Sequence, residues 1–342
     1  MKRIVINGFG RIGRIAYRLL VGNPNYEVVA INSHGTPEDS AYLLKYDTVH
    51  RSFLEDEISY NDEGIIVDGK FTKVLVIDDP KDYPWRELNV DVVLECTGKF
   101  TKKEDAMKHI EAGAKHVIIS APGKGEMKTV VYGVNDNILS ADDQVISAAS
   151  CTTNCLAPVL KCINDTFGIE SGFMTTIHAY TNDQNTLDGS HKKGIASRRG
   201  RTAASNIVPA STGAASAIGL VIPDLQGKLD GFAFRVPTDD GSVIDLSLIL
   251  KREVTKEEVN AAFVNNQNEV LMFTAKAFTF AKPKKMYFLT KILSLSKEFL
   301  IQKYSSDFEQ KLGRKLADNA REFFWKGSFE KLPLSHDNVI ET

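Results

Sequence analysis

The feature that most constrains this chain lies in its first twenty-two residues: KRIVIN, then Gly8-Phe9-Gly10-Arg11-Ile12-Gly13, then RIAYRLLVG. A β-branched run, a glycine-spaced turn and a helical stretch in that order have a mechanical reading. The first glycine makes the tight turn, the second lets backbone approach a pyrophosphate, and the third lets helix and strand pack closely. The helix then offers its unpaired N-terminal N–H groups to the anion. This predicts a strand-turn-helix unit for a dinucleotide, with Gly8 to Gly13 as its contact loop.

The rhythm continues through residue 150. VVAIN, TKVLVID, VDVVLECTG, KHVIIS and DQVISAAS are short strand-like runs separated by helical or loop stretches, which predicts a parallel sheet covered on both faces. The second run ends in Asn32-Ser33, where a site specific for NAD shows an Asp or Glu to accept from the ribose 2′-hydroxyl. Glu38 and Asp39 follow only in the next loop. A neutral end removes the charge that repels a 2′-phosphate, so the expected cofactor is NAD or NADP. After residue 150 the runs lengthen and take antiparallel character, as in GFMTTIHAYT, GFAFRVPT and SVIDLSLILKREV, predicting a second, α+β domain that starts near Cys151.

Composition narrows the partners. Lys plus Arg number 42 against 44 Asp plus Glu, so the chain has no global field for nucleic acid or an anionic membrane. No apolar run approaches the roughly 20 residues that span a bilayer, and no signal-peptide pattern precedes the first strand, which predicts a cytoplasmic protein. Four cysteines, Cys96, Cys151, Cys155 and Cys162, lack zinc spacing and are too few for a disulfide scaffold, and no metal site is expected.

The strongest chemical signal is Ser150-Cys151-Thr152-Thr153-Asn154-Cys155. A cysteine at a strand-to-helix junction faces unpaired N–H groups and the positive end of the helix dipole, both of which favour a thiolate nucleophile. Cys151 is the candidate; Cys155 lies one turn on and is expected to face the packed side. His178, in TTIHAYT, is the candidate base. A lone histidine among threonines is usually a structural hydrogen-bonding residue, but joined to a junction cysteine it becomes the partner that activates a thiol at neutral pH.

INGFGRIGR, ECTGKF, SAPGKG, VYGVN, ASCTTNCLAP, TIHAYTNDQ, NIVPASTGAA, GKLDGFAFRVPT and SVIDL, in this order, resemble the phosphorylating glyceraldehyde-3-phosphate dehydrogenases over roughly residues 1–263. The resemblance implies an α/β enzyme, with a Rossmann-type doubly wound parallel sheet over 1–150 and an α+β catalytic domain with a mixed or antiparallel sheet over 151–264. It implies glyceraldehyde 3-phosphate and inorganic phosphate as substrates in glycolysis or gluconeogenesis, a homotetramer, and catalysis by Cys151 and His178. Thr181, Asp183 and Arg235 would hold the substrate phosphate. Ser150, Thr152, Thr212, Gly213 and one arginine of the 198–201 run, taken as Arg199, would hold the attacking phosphate. Cofactor contacts would come from Gly8, Phe9, Gly10, Arg11, Ile12, Gly13, Asn32, Ser33, Thr97, Gly98 and Ser120. An erythrose-4-phosphate dehydrogenase and a catalytically impaired cofactor-binding paralogue are the alternatives.

The sequence departs from the family pattern in three places. LDGSHKKGIASRRGRTAAS lacks the usual proline and carries about three extra residues after His191 by comparison with that pattern, and Asp78-Asp79-Pro80 stands where many relatives carry a basic residue. Residues 265–342 hold 13 Lys and Arg against 9 Asp and Glu, with 12 aromatic residues, a balance absent upstream. The family's closing strands and its Asn-Glu-x-Gly-Tyr-Ser segment are not recognisable there, which predicts an open sheet edge. A frameshifted or fused segment, a lineage-specific extension, and diverged strands in NEVLMFTAKAFTFAK and KKMYFLTKILSLS are the three accounts, preferred in that order. A helix is expected over 305–327, and the Lys282-Pro283-Lys284-Lys285 stretch reads as a solvated turn.

Overall fold

A computed structural model describes residues 1–266 and the backbone of two further strands, Phe278–Lys282 and Lys285–Ile292. Strands β1 (Lys2–Asn7), β2 (Tyr26–Asn32), β3 (Ile58–Tyr60), β4 (Gly64–Val67), β5 (Lys70–Leu75), β6 (Val92–Glu95), β7 (His116–Ile119), β8 (Lys128–Thr129) and β9 (Val145–Ser147) form one sheet. Their order is β3-β4-β5-β2-β1-β6-β7-β9-β8, parallel from β5 through β8 with an antiparallel β3-β4-β5 edge. Alternation along β1 explains the two-sided cover. Ile6 packs with Tyr17 of α1 (Arg11–Leu20) and Leu44 of α2 (Pro37–Lys45) on one face, while Val5 packs with Ala106 of α3 (Lys103–Glu111) on the other. The doubly wound sheet expected from the strand-helix rhythm is present.

The second sheet is built around β10 (Ile169–Ala179), which follows α4 (Cys151–Phe167). Strands β11 (Val208–Ser211), β12 (Leu229–Val236) and β13 (Ser242–Leu250) join it in the order β11-β12-β10-β13, with β10 and β12 parallel and the other pairs antiparallel. The sheet is therefore mixed. Helices α4, α5 (Ala214–Val221) and α6 (Lys256–Asn265) bury Leu160, Ile163, Ile218 and Val259 against Leu246 and Leu248 of its inner face. α6 begins with a capping box in which Thr255 and Glu258 satisfy each other's backbone N–H groups.

The expected open edge is not found. β15 (Lys285–Ile292) pairs antiparallel with β13, from Ser242 opposite Ile292 to Ile249 opposite Lys285, and β14 (Phe278–Lys282) pairs with β15. Of the three accounts of the tail, strands within FTFAK and KKMYFLTKI are thus the one with a structural counterpart: β-branched and aromatic residues favour a strand where a sheet edge awaits a partner. Lys282 and Lys285 stand opposite each other in the β14–β15 pair, and the rest of the expected solvated turn lies outside the described residues. The helix expected over 305–327 lies outside the described residues. Among the described residues no helix is long and apolar enough to cross a membrane, and no cluster of metal-ligating side chains occurs.

Candidate active site and cofactor cradle

Two short-range devices build the Cys151 turn. The chain leaves β9 at Ser147 and passes through Ala149 in the left-handed region, φ 61°, a conformation that costs a non-glycine residue energy and persists only where its surroundings enforce it. They do so here: Ser147 Oγ accepts from the Ala149 N–H at 3.1 Å, and Asn154 Nδ2 donates to the Ala148 and Ser150 carbonyls at 2.7 and 2.9 Å. Ser150 then caps α4 by accepting from the Thr153 N–H at 3.0 Å. Cys151 is left as the first helical residue, exposed, at the positive end of a 17-residue helix.

His178 is the penultimate residue of β10 and is buried. Its Nε2 lies 3.4 Å from Cys151 Sγ, and its Nδ1 lies 2.7 Å from the Ala179 carbonyl oxygen. With the ring proton assigned to Nδ1, which donates to that carbonyl, Nε2 is free to accept from the thiol. Burial, then the neighbouring Arg235 guanidinium, pushes the imidazole down to about 4, so the ring is neutral at pH 7. The pairing is as the two motifs predicted. Cys151 is the one exposed cysteine of the four, whereas burial raises the thiols of Cys96 and Cys162 to about 11 and pushes Cys155 up further.

A cleft of about 240 Å³ opens on Cys151 and is lined by hydroxyls, small residues and two arginines. Of the residues expected to hold phosphate, Ser150, Thr152, Thr212, Gly213, Arg199 and Arg235 line it, and Thr181 and Asp183 do not. Thr129 and Ser211 also line it; nothing in their local sequence marks them, since each reaches the cleft only through sheet packing. Arg235 stands in register with His178 across the parallel β10–β12 pair, and its Nη1 reaches Thr181 Oγ1 at 3.4 Å. Of the arginine run the structure selects Arg199, since Arg201 pairs with Asp188 and Arg198 is exposed.

Asp183 differs from its expected place as a phosphate ligand. It pairs with Arg199 Nη1 and, at 2.7 Å, with Lys192 Nζ. Burial would raise its carboxyl, but hydrogen bonds from Lys192 and Arg199 outweigh it and hold it at about 2. A carboxylate so engaged orients the arginine and repels an anion. Lys192 comes from the altered stretch after His191, so that departure reaches the site itself.

The glycine loop has the shape its spacing predicts. Gly8 sits at φ +96°, and a Cβ there would lie 2.7 Å from the Thr97 nitrogen; a Cβ on Gly13 would lie 2.1 Å from the Gly8 carbonyl oxygen. Nothing stands within 4 Å of a Cβ on Gly10, the N-cap of α1, so the space over the second glycine is open. That open helix N-terminus fits a pyrophosphate. Several expected cofactor side chains, however, are engaged within the protein. Phe9 is buried edge-on against Tyr17, Arg11 pairs with Asp47, and Asn32 bonds Asn7 and the Ile77 backbone. Ser120 Oγ donates to the Glu95 carbonyl. These residues shape the cradle, and α1, starting at Arg11, brings its unpaired N–H groups to the open space over Gly10. Ser33 Oγ accepts from the Gly35 N–H at 3.2 Å, Glu38 and Asp39 are engaged by Tyr60 and Thr36, and the exposed Asp78 carboxylate pairs with His34 at 3.6 Å.

Comparison with known proteins agrees with both halves. The profile of the glyceraldehyde 3-phosphate dehydrogenase NAD binding domain matches residues 2–103, and that of the C-terminal domain matches residues 150–328. The chain is 56% identical over 274 residues to the glyceraldehyde-3-phosphate dehydrogenase of Clostridium pasteurianum, covering 80% of this chain and 81% of that one. It is 52% identical over 262 residues to glyceraldehyde-3-phosphate dehydrogenase 2 of Bacillus subtilis, 76% of each chain. The Geobacillus stearothermophilus enzyme is 54% identical over 261 residues, 76% of this chain and 77% of that one.

Proposed function

Because the chain belongs to the glyceraldehyde-3-phosphate dehydrogenase family, whose members are oxidoreductases, we propose that it oxidises glyceraldehyde 3-phosphate to an acyl phosphate through a thioester on Cys151. The observation that carries this reading is Cys151 Sγ at the start of α4, 3.4 Å from a neutral, buried His178.

His178 Nε2 takes the thiol proton as Sγ bonds to the aldehyde carbon, and returns it to the new alkoxide, giving a hemithioacetal on Cys151. A bound nicotinamide supplies the hydride acceptor. As the hydride leaves the same carbon, His178 takes the hydroxyl proton, and a thioester carbonyl remains on Cys151. A phosphate oxygen then attacks that carbonyl, the C–S bond breaks, and the sulfur departs as thiolate. N–H groups at the start of α4 and the protonated His178 stabilise the negative charge that develops on the carbonyl oxygen in each tetrahedral stage. Arg235 with Thr181 serves the substrate phosphate. Arg199, oriented by Asp183, serves the attacking phosphate with Ser150, Thr152, Thr212 and Gly213.

NADP is accepted beside NAD, because Ser33 presents a hydroxyl where a carboxylate would repel a 2′-phosphate. The protein acts in the cytoplasm as a homotetramer, with a cofactor domain over residues 1–150 and a catalytic domain that begins at Cys151 and takes in β14 and β15. A stopped-flow mix with glyceraldehyde 3-phosphate, phosphate and NAD or NADP tests the reading, with Cys151→Ser as control. A stoichiometric, Cys151-dependent burst of reduced nicotinamide is expected. Cofactor binding without a burst would identify an impaired paralogue, and faster turnover of erythrose 4-phosphate would reassign the substrate.

A further inference from the structure

Asn32, Asn7 and Glu95 end three neighbouring parallel strands and stand in register, Asn7 opposite Asn32 on one side and opposite Glu95 on the other. Residues paired in this way project to the same face of a sheet, so three polar side chains form a row along the carboxyl edge, beside the Gly8 turn. All three are buried, Asn7 and Glu95 at 0% and 1% exposure. Asn32 Nδ2 donates to Asn7 Oδ1 at 2.8 Å, and Asn7 Nδ2 donates to Glu95 Oε2 at 2.6 Å.

Further donors close on the same carboxylate. Trp85 Nε1 lies 3.0 Å from His109 Nδ1, and an indole N–H can only donate, so Nδ1 accepts and the ring proton sits on Nε2. That proton is donated to Glu95 Oε2 at 3.2 Å. Oε1 accepts from the Thr97 backbone N–H at 2.8 Å and from the Thr97 hydroxyl. Tyr83 stacks on both rings, 4.8 Å from Trp85 and 5.1 Å from His109, closing the cluster from water.

A carboxylate has no proton to give, and this imposes a direction on the row. Asn7 must turn Nδ2 towards Glu95 and therefore Oδ1 towards Asn32. Asn32 must turn Nδ2 towards Asn7, where it also reaches the Ile77 carbonyl at 2.9 Å, leaving its Oδ1 to accept from the Ile77 N–H at 3.0 Å. The row is thus held from both ends: the Ile77 N–H fixes the Asn32 amide and the Glu95 carboxylate fixes the Asn7 amide, so Glu95 braces the link from the Gly8 turn to the Asn32–Ser33 turn and directly clamps the Thr97–Gly98 turn.

We infer that Glu95 is a positioning residue for the dinucleotide: its acceptor-only side chain, buttressed by His109 and Trp85, pre-organises the three turns that flank the cofactor cradle. Pre-organisation lowers the ordering cost at binding and so appears in affinity. A glutamine at 95 keeps the shape but turns an NH2 group against the donors of Asn7, His109 and Thr97, which now meet only acceptor oxygens. The cluster therefore loses hydrogen bonds and the turns it braces loosen, although the Ile77 N–H still fixes the Asn32 amide.

The inference rests on dinucleotide binding at this edge, so calorimetric titration of the unaltered protein with NAD and NADP comes first. If it binds neither, the dinucleotide reading falls and this inference with it. If it binds, Glu95→Gln is expected to weaken NAD about tenfold, ~1.4 kcal/mol, with kcat at saturating cofactor within about twofold. A folded Glu95→Gln protein with unaltered NAD affinity overturns the inference alone, since a purely structural role would lower the melting temperature without moving the dissociation constant. Should that variant not fold, Trp85→Phe keeps an aromatic ring against Tyr83 and removes the N–H that fixes the His109 tautomer, at the cost of a cavity whose effect shows in the melting temperature. It is expected to weaken NAD about threefold, and unchanged affinity there likewise overturns the inference.

Discussion

Arg235 lies against the imidazole of His178, its Nη1 2.9 Å from Nδ1 and equally 2.9 Å from the Ala179 carbonyl that Nδ1 reaches at 2.7 Å. The carbonyl reconciles the two donors by accepting from both. The cost to the imidazolium is twofold: it would be buried, and it would stand beside a guanidinium.

The pH dependence follows from that geometry. The folded-state value of about 4 lies below the ordinary 6.5, so the fold prefers the neutral ring. Its contribution to stability is complete above pH 6.5 and is lost as pH falls from 6.5 towards 4. NMR titration of histidine ring resonances is expected to show no His178 protonation at pH 6. In Arg235→Leu the midpoint moves upward only part of the way, because burial is the larger cause; a midpoint near 6.5 in the unaltered protein would refute the arrangement.

Asp183→Asn removes the charge that aims Arg199 into the cleft. Hydrogen bonds to charged groups contribute roughly 1.5–3 kcal/mol, and exposure on one side places this pair at the lower end. Roughly a tenfold rise in KM for phosphate is expected, with the first-turnover hydride burst little altered. A direct ligand of the substrate phosphate would instead raise KM for the aldehyde, which steady-state kinetics in both substrates distinguishes.

Gly10 and Gly13 should fail differently on conversion to alanine. At Gly13 the new Cβ meets the Gly8 carbonyl at 2.1 Å, and overpacking of this kind costs about 1–3 kcal/mol or more. Gly10 faces open space, so Gly10→Ala is expected to melt within a few degrees of the unaltered protein yet bind NAD at least tenfold more weakly. Thermal melts paired with calorimetry check both.

Ser33→Asp restores a carboxylate at the end of β2. Preference for NAD over NADP, as the ratio of kcat/KM values, is expected to rise by at least tenfold. A preference for NAD already above a hundredfold in the unaltered protein, about 2.7 kcal/mol, would show that something other than residue 33 excludes the 2′-phosphate.

Much of this was legible in the chain. The strand-glycine-helix opening, the Cys151 junction and the distant histidine each carry a local signature, because a glycine turn or helix start is specified within a few consecutive residues. The cradle's side chains were less legible. Phe9, Arg11 and Asn32 sit inside the motif but turn to Tyr17, Asp47 and Asn7, residues far enough along the chain that spacing gives no sign of them. Asp183 shows the same limit: its residue type suits a polar site, while its role follows from Lys192 and Arg199 closing on it.

The sequence by itself determined the two-domain α/β architecture and the Cys151 and His178 pair, since both follow from short-range periodicity and local turn chemistry. Tertiary structure alone decided that β13 has a partner strand, that Arg199 is the arginine aimed at the cleft, and that Glu95 braces a row of buried amides. Each of these depends on groups brought together across adjacent strands or loops, where hydrogen-bond direction and charge are set by neighbours in space.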